Sequence, residues 1–282
     1  MATHAVHNYL ISDGTIYSGH VMRRGKLFIP HGEGKAVLAN KDIYFGGWRK
    51  GKPHGLGQMI KQNYSIYIGE FVDGEMHGYG KITFKENPQI KSMDGYWKNN
   101  QLDGEACIIY ADGSKYCGPV KKFMRHGNGT FYSANDTVMK ARWVKNELHG
   151  KATITLATHK ITCEWEKDKM ISKCKIEYNF PGDLTKSNVP KIYRGECDET
   201  FRPQGYGTMR YTDGSIYEGY WENGQRSWYG QLRMKSGDYY GGYWHQDKKH
   251  GYGIYFSRIG SHAIEYVWEN DVMLERTRSY YF

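Results

Sequence analysis

Five cysteines in 282 residues are few and odd in number, and none are spaced as Cys-x-x-Cys. That spacing offers neither a zinc framework nor a disulfide framework, and it predicts a reducing compartment. No run of about 18 apolar residues occurs, so no transmembrane helix is expected. Met1 to His7 lack the basic and apolar regions of a signal peptide, and Ala2 stands where myristoylation requires glycine. Lys and Arg form nothing longer than pairs such as Arg23-Arg24, Lys121-Lys122 and Lys248-Lys249. Without a dense basic block, nucleic acid is not an expected partner. Catalytic signatures are missing too. Gly-x-Gly pairs such as Gly55-Leu56-Gly57 lack a third glycine, a following helix and a Walker lysine. No Gly-x-Ser-x-Gly elbow and no poised carboxylate pair occurs, so neither an enzyme nor a cofactor is expected.

What is present is glycine (35), tyrosine (25, far more than leucine) and eight tryptophans. Average glycine usage is only about 7%. A core built from such residues is aromatic, which suits pleated sheet. The formal charge of +9 favours solubility and acidic partners or surfaces.

These residues recur in order. Tyr44-Phe45-Gly46-Gly47-Trp48 is followed by His54-Gly55-Leu56-Gly57, and 23 residues later Tyr67-Ile68-Gly69-Glu70-Phe71 is followed by His77-Gly78-Tyr79-Gly80. Copies start from Tyr17 to Ile264 at steps of 22 to 32 residues, with 23 the underlying period. Seven of the eight tryptophans share the fifth position of the motif. A period of about 20 to 50 residues signifies a repeat architecture. Residues two apart on a strand share a face, so Tyr44, Gly46 and Trp48 point one way. Asp13-Gly14, Asp112-Gly113 and Asp213-Gly214 precede copies and are expected to be type I′ hairpin turns.

This pattern resembles the MORN (membrane occupation and recognition nexus) repeat over about residues 14–270. The resemblance implies an all-β fold: an elongated, twisted antiparallel sheet solenoid of about ten hairpins, with a groove along one side. It implies a non-catalytic scaffold in a larger cytoskeletal or ciliary assembly in the cytoplasm, with end-to-end self-association. The alternative is a peripheral membrane module that binds anionic phospholipid through its basic surface.

The chain is expected to divide into an N-terminal array over 1–178, a loop insertion over 179–192, and C-terminal repeats with a capping tail over 193–282. Within the insertion, Pro181, Gly182, Ser187 and Pro190 mark a loop. Cys163 and Cys174 replace repeat glycines and Cys197 replaces the repeat tryptophan. His31, His54, His77, His126, His149 and His250 each stand at the His-Gly position, read as a turn. Spread one per copy, they do not gather the roughly four ligands a zinc ion needs.

The aromatic face is the candidate site. Its rings hold neighbouring copies together. Since a single layer cannot bury both its sides, part of the face is expected to stay open and to hold a helix or extended segment of a partner protein. The groove residues are Tyr44, Trp48, Tyr67, Phe71, Trp97 and Trp143, with Tyr217, Trp221, Tyr240 and Trp244 in the second segment.

Overall fold

A computed structural model describes residues 4–179, 189–259 and 262–281. They form twenty-five strands, from His4–Leu10 to Val272–Tyr281, and no helix occurs among the described residues. The chain gathers into two units, Met1–Glu147 and Leu148–Phe282. Within each, strands pair antiparallel with their sequence neighbours. Ile43–Arg49 lies between Leu27–Val37 and Lys52–Ile60 in the first unit. Ile216–Glu222 lies between Pro203–Tyr211 and Gln225–Arg233 in the second.

Two kinds of turn alternate. The Asp-Gly turns have positive φ at the glycine alone (Gly14 +89°, Gly113 +89°, Gly214 +92°), so they are not type I′ as their sequence suggests. Instead the aspartate side chain caps the turn. Asp112 Oδ1 accepts from the Ser114 N–H at 2.8 Å, and Asp213 Oδ1 accepts from the Ser215 N–H at 2.8 Å. The two-residue turns that follow the motif tryptophans carry the I′ signature, positive φ at both residues. Asn99-Asn100, Lys145-Asn146, Asn223-Gly224 and Gln246-Asp247 are examples. These turns match the right-handed twist of the strands they join, which outweighs the αL cost to lysine or glutamine.

His-Gly is a bulge inside a strand rather than a turn. His54 lies within Lys52–Ile60, and Gly55 has φ +78°. The register jumps there, from Gly46↔Gly57 to Trp48↔Pro53. The same jump separates Gly219↔Gly230 from Trp221↔Arg226, and Gly242↔Gly253 from Trp244↔Lys249. Two extra residues on the second strand rotate the chain and leave the residue before the tryptophan without a partner on that side.

The expected divide at 178/193 lies inside the second unit. Cys174–Tyr178 pairs directly with Pro190–Cys197, so 190–192 belong to a strand rather than to an insertion. The rest of the proposed insertion, 180–188, lies outside the described residues. The tail continues the sheet as a strand: Val272–Tyr281 pairs with His262–Glu269. Cys107 and Cys117 are joined in a disulfide, with an S–S distance of 2.12 Å. They oppose each other on paired strands, a register that sequence spacing does not reveal, and the cysteine count no longer argues for a reducing compartment.

Candidate functional site

Seven of the repeats each pack around one tyrosine. In the repeat of Tyr217, the ring lies flat on Gly219 and Gly230, which face each other across two strands. A Cβ added to Gly230 would overlap the Tyr217 hydroxyl and ring. Two glycines are required because the ring occupies the space of two side chains. The Tyr217 hydroxyl donates to the Tyr220 carbonyl at 3.1 Å, beside the bulge. Tyr17, Tyr44, Tyr67, Tyr116, Tyr193 and Tyr240 donate to the matching carbonyls, of His20, Gly47, Glu70, Pro119, Glu196 and Tyr243. Burial pushes the phenols up from their ordinary value, to about 12 at Tyr17 and Tyr116.

The tryptophans bind one repeat to the previous one. Trp97 Nε1 donates to the Gly80 carbonyl at 2.8 Å, Trp221 to Gly207 and Trp244 to Gly230, both at 3.2 Å. Rings meet edge to face. Tyr17, Trp48, Tyr44, Phe71, Tyr67 and Trp97 form one ladder with centroids 5.0–5.4 Å apart. Tyr193, Trp221, Tyr217, Trp244 and Tyr240 form another in the second unit. Cations cover some outer faces: the Arg125 guanidinium lies 3.8 Å from the Trp143 ring centre, and that of Arg226 lies 4.2 Å from Trp244. Arg226 is also paired with Asp247 at 3.0 Å.

All ten groove residues are therefore buried. Tyr44, Tyr67, Tyr217 and Tyr240 are 0% exposed, and Trp48, Phe71, Trp97, Trp143, Trp221 and Trp244 no more than 5%. The expectation of an open face carrying these rings is corrected here. Glycine lets each ring sink onto the backbone, and the edge of the next ring closes over it.

The opposite side of the sheet is open. Its residues are the x of His-Gly-x-Gly and the residue before the tryptophan, which oppose each other between successive repeats. In the second unit these are Tyr206↔Tyr220 and Tyr229↔Tyr243, with ring centroids 5.4 and 5.7 Å apart, followed by Tyr252. All five are exposed, Tyr252 to 68%. They form one row across five adjoining strands. Tyr229, Tyr243, Tyr252 and Ile254 border a shallow cleft that Gly241 also lines, with the Tyr239 ring lying against that glycine. The first unit has a single such pair, Tyr79–Tyr96 at 5.5 Å. Elsewhere the same positions there hold Leu56 opposite Glu70, Glu105 opposite Pro119 and Asn128 opposite Arg142. The alternation of side chains along the strand could have found this row, because Tyr220 and Tyr243 directly precede Trp221 and Trp244.

Among the described residues, no three His, Cys, Asp or Glu side chains are grouped to hold a metal ion. No helix of the described residues is long and apolar enough to cross a membrane.

A family model for the MORN repeat matches residues 44–66, 67–87, 94–115, 124–138, 202–216, 217–239 and 240–262. No curated protein sequence matches the chain. Among solved structures, the TCP10 domain of Danio rerio CPAP is 12% identical over 76% of this chain and 92% of that one, with a TM-score of 0.42. The same domain in complex with a Danio rerio STIL peptide is 8% identical over 98% and 99%, with a TM-score of 0.37. At such scores neither structure bears on what this chain binds.

Proposed function

The chain belongs to the MORN-repeat family, and on that footing we propose that it is a non-catalytic scaffold that holds a segment of a partner protein. The surface is the tyrosine row of the second unit rather than the buried ring ladder. The observation that carries this reading is five exposed tyrosines, Tyr206, Tyr220, Tyr229, Tyr243 and Tyr252, in one line on a face against which no other element packs among the described residues of the unit. Tyrosine combines a broad apolar ring with a hydroxyl and only two side-chain torsions, so it binds at low entropic cost.

The test compares full-length wild type with the double variant Tyr229→Ser and Tyr243→Ser by affinity purification from the native source. Both substitutions are on the surface and are expected to leave the near-ultraviolet circular dichroism of the core tryptophans unchanged. A partner recovered with wild type and lost from the folded variant supports the reading. Equal recovery by both proteins would sink it.

A further inference from the structure

We propose that the tyrosine row of the second unit binds a proline-rich segment in the polyproline II conformation, with prolines recurring every third residue and acidic residues among them. This rests on the reading of that face as the partner surface and names the chemistry of the partner.

Period is the first argument. Each repeat spans two strands, and neighbouring strands lie about 4.8 Å apart, so Tyr206–Tyr220, Tyr229–Tyr243 and Tyr252 recur about every 9.6 Å. A polyproline II helix rises about 3.1 Å per residue with three residues per turn, so it presents the same side every 9.3 Å or so. An α-helix repeats its face about every 5.4 Å and a strand about every 6.8 Å, and neither stays in step with the row.

Hydrogen bonding is the second. The strands that carry the row are interior. Ile216–Glu222, Gln225–Arg233 and Tyr239–His245 are each paired on both sides, so no backbone edge is free there for an added strand. Recognition on this face has to come from side chains. A polyproline II segment has no internal hydrogen bonds, so its carbonyls are open to tyrosine hydroxyls while its proline rings lie on the aromatic planes.

Charge is the third. Arg210 and Arg233 stand on the same face, four residues along their strands from Tyr206 and Tyr229, and both are exposed. Neither forms an ion pair among the described residues. Glu218 and Glu265, the acids on the same side of the row as these arginines, are engaged by the hydroxyls of Tyr206 and Tyr280 at 3.0 Å, while Glu196, against Gly205 at the end of the row, and Glu222, on its other side, are exposed. The free charge on the Arg210 and Arg233 side of the row is positive, which suits acidic residues on that side of the segment.

The probe is a fluorescein-labelled peptide of repeated Pro-Pro-Glu triplets, titrated with the full chain by fluorescence anisotropy. The controls are Pro-Pro-Lys and Ala-Ala-Glu peptides of equal length. The Pro-Pro-Glu peptide is expected to bind, Tyr229→Ser with Tyr243→Ser to weaken it about tenfold or more, and Arg210→Gln with Arg233→Gln to remove the preference over Pro-Pro-Lys. Absence of Pro-Pro-Glu binding, equal binding of Ala-Ala-Glu, or indifference to the tyrosine substitutions would overturn the proposal. So would tyrosine-dependent binding to phosphatidylserine vesicles in place of the peptide. If the peptide fails while the tyrosine variant still loses its native partner, the polyproline assignment falls and the partner face stands. If neither is affected, both fall.

Discussion

The repeats that begin at Tyr217 and at Ile161 fill the same space with different atoms. In the first, a ring covers Gly219 and Gly230, and the indole N–H of Trp244 donates to the Gly230 carbonyl. In the second the ring is gone, and Cys163 and Cys174 stand where the two glycines would be. They lie side by side, next in register to Thr162↔Lys175. Both thiols are buried, and the Trp165 indole donates to Cys163 Sγ at 3.2 Å. The neighbouring Cys174 thiol, together with burial, pushes the Cys163 thiol up, so it stays protonated. The glycines are thus conditional on the tyrosine: isoleucine reaches less far across the sheet, and small side chains become both permitted and needed. The cysteines that replace the repeat glycines form a compensated set with Ile161.

The sharpest break in this comparison is Gly230→Ala. It forces a methyl group into the Tyr217 ring and is expected to cost about 3 kcal/mol in urea unfolding. Cys174→Ala in the Ile161 repeat is expected to cost about 1 kcal/mol, from loss of one sulfur's packing. Similar costs at the two sites would end the conditional reading. Combining Tyr217→Ile with Gly230→Ala sharpens it. The double variant is expected to be more stable than the sum of the single losses by about 2 kcal/mol, and strict additivity would count against it.

Sulfur used for packing is distinguishable from sulfur used as a crosslink. Cys107→Ala with Cys117→Ala is expected to lose about 2 kcal/mol and to stop responding to dithiothreitol, whereas Cys163→Ala should leave that response intact. Tyr217→Phe keeps the ring and removes one hydroxyl bond, at a cost of about 1 kcal/mol. Finally, Tyr17, Tyr116 and Tyr211 titrate at about 12 in the fold, against an ordinary value of 10. The unfolded chain therefore loses these protons first. Their contribution to stability is complete below pH 10 and declines as pH rises towards 12, which urea midpoints at successive pH values would record.

The repeat, its period and the antiparallel hairpin fold were legible because tyrosine, glycine and tryptophan recur at fixed offsets. Local geometry was less so. Asp213-Gly214 carries the usual I′ pair, yet aspartate instead uses its carboxylate as a cap, and Gln246-Asp247 takes the I′ conformation because the strands require it. His54-Gly55 reads as a turn by composition, but only the register shows the two extra residues that make it a bulge. The candidate site failed on a quantity that a sequence does not hold, the depth to which a ring sinks. Tyr240 is identifiable as aromatic and inward-facing, but its burial depends on Gly242, on Gly253 from another strand, and on the edge of Trp244. The Cys107–Cys117 bond needed the pairing of two strands to become visible.

The ring ladder also has an optical consequence. From Tyr193 through Trp221, Tyr217, Trp244 and Tyr240 to Trp268, successive centroids lie 5.1–6.0 Å apart at near-perpendicular angles. At that spacing, excitation absorbed by a phenol passes to an adjoining indole before it is emitted. The folded unit should therefore glow as tryptophan whichever ring takes up the light. Phenolic emission would appear only where the ladder has come apart, so a spectrometer can follow its opening without any added label.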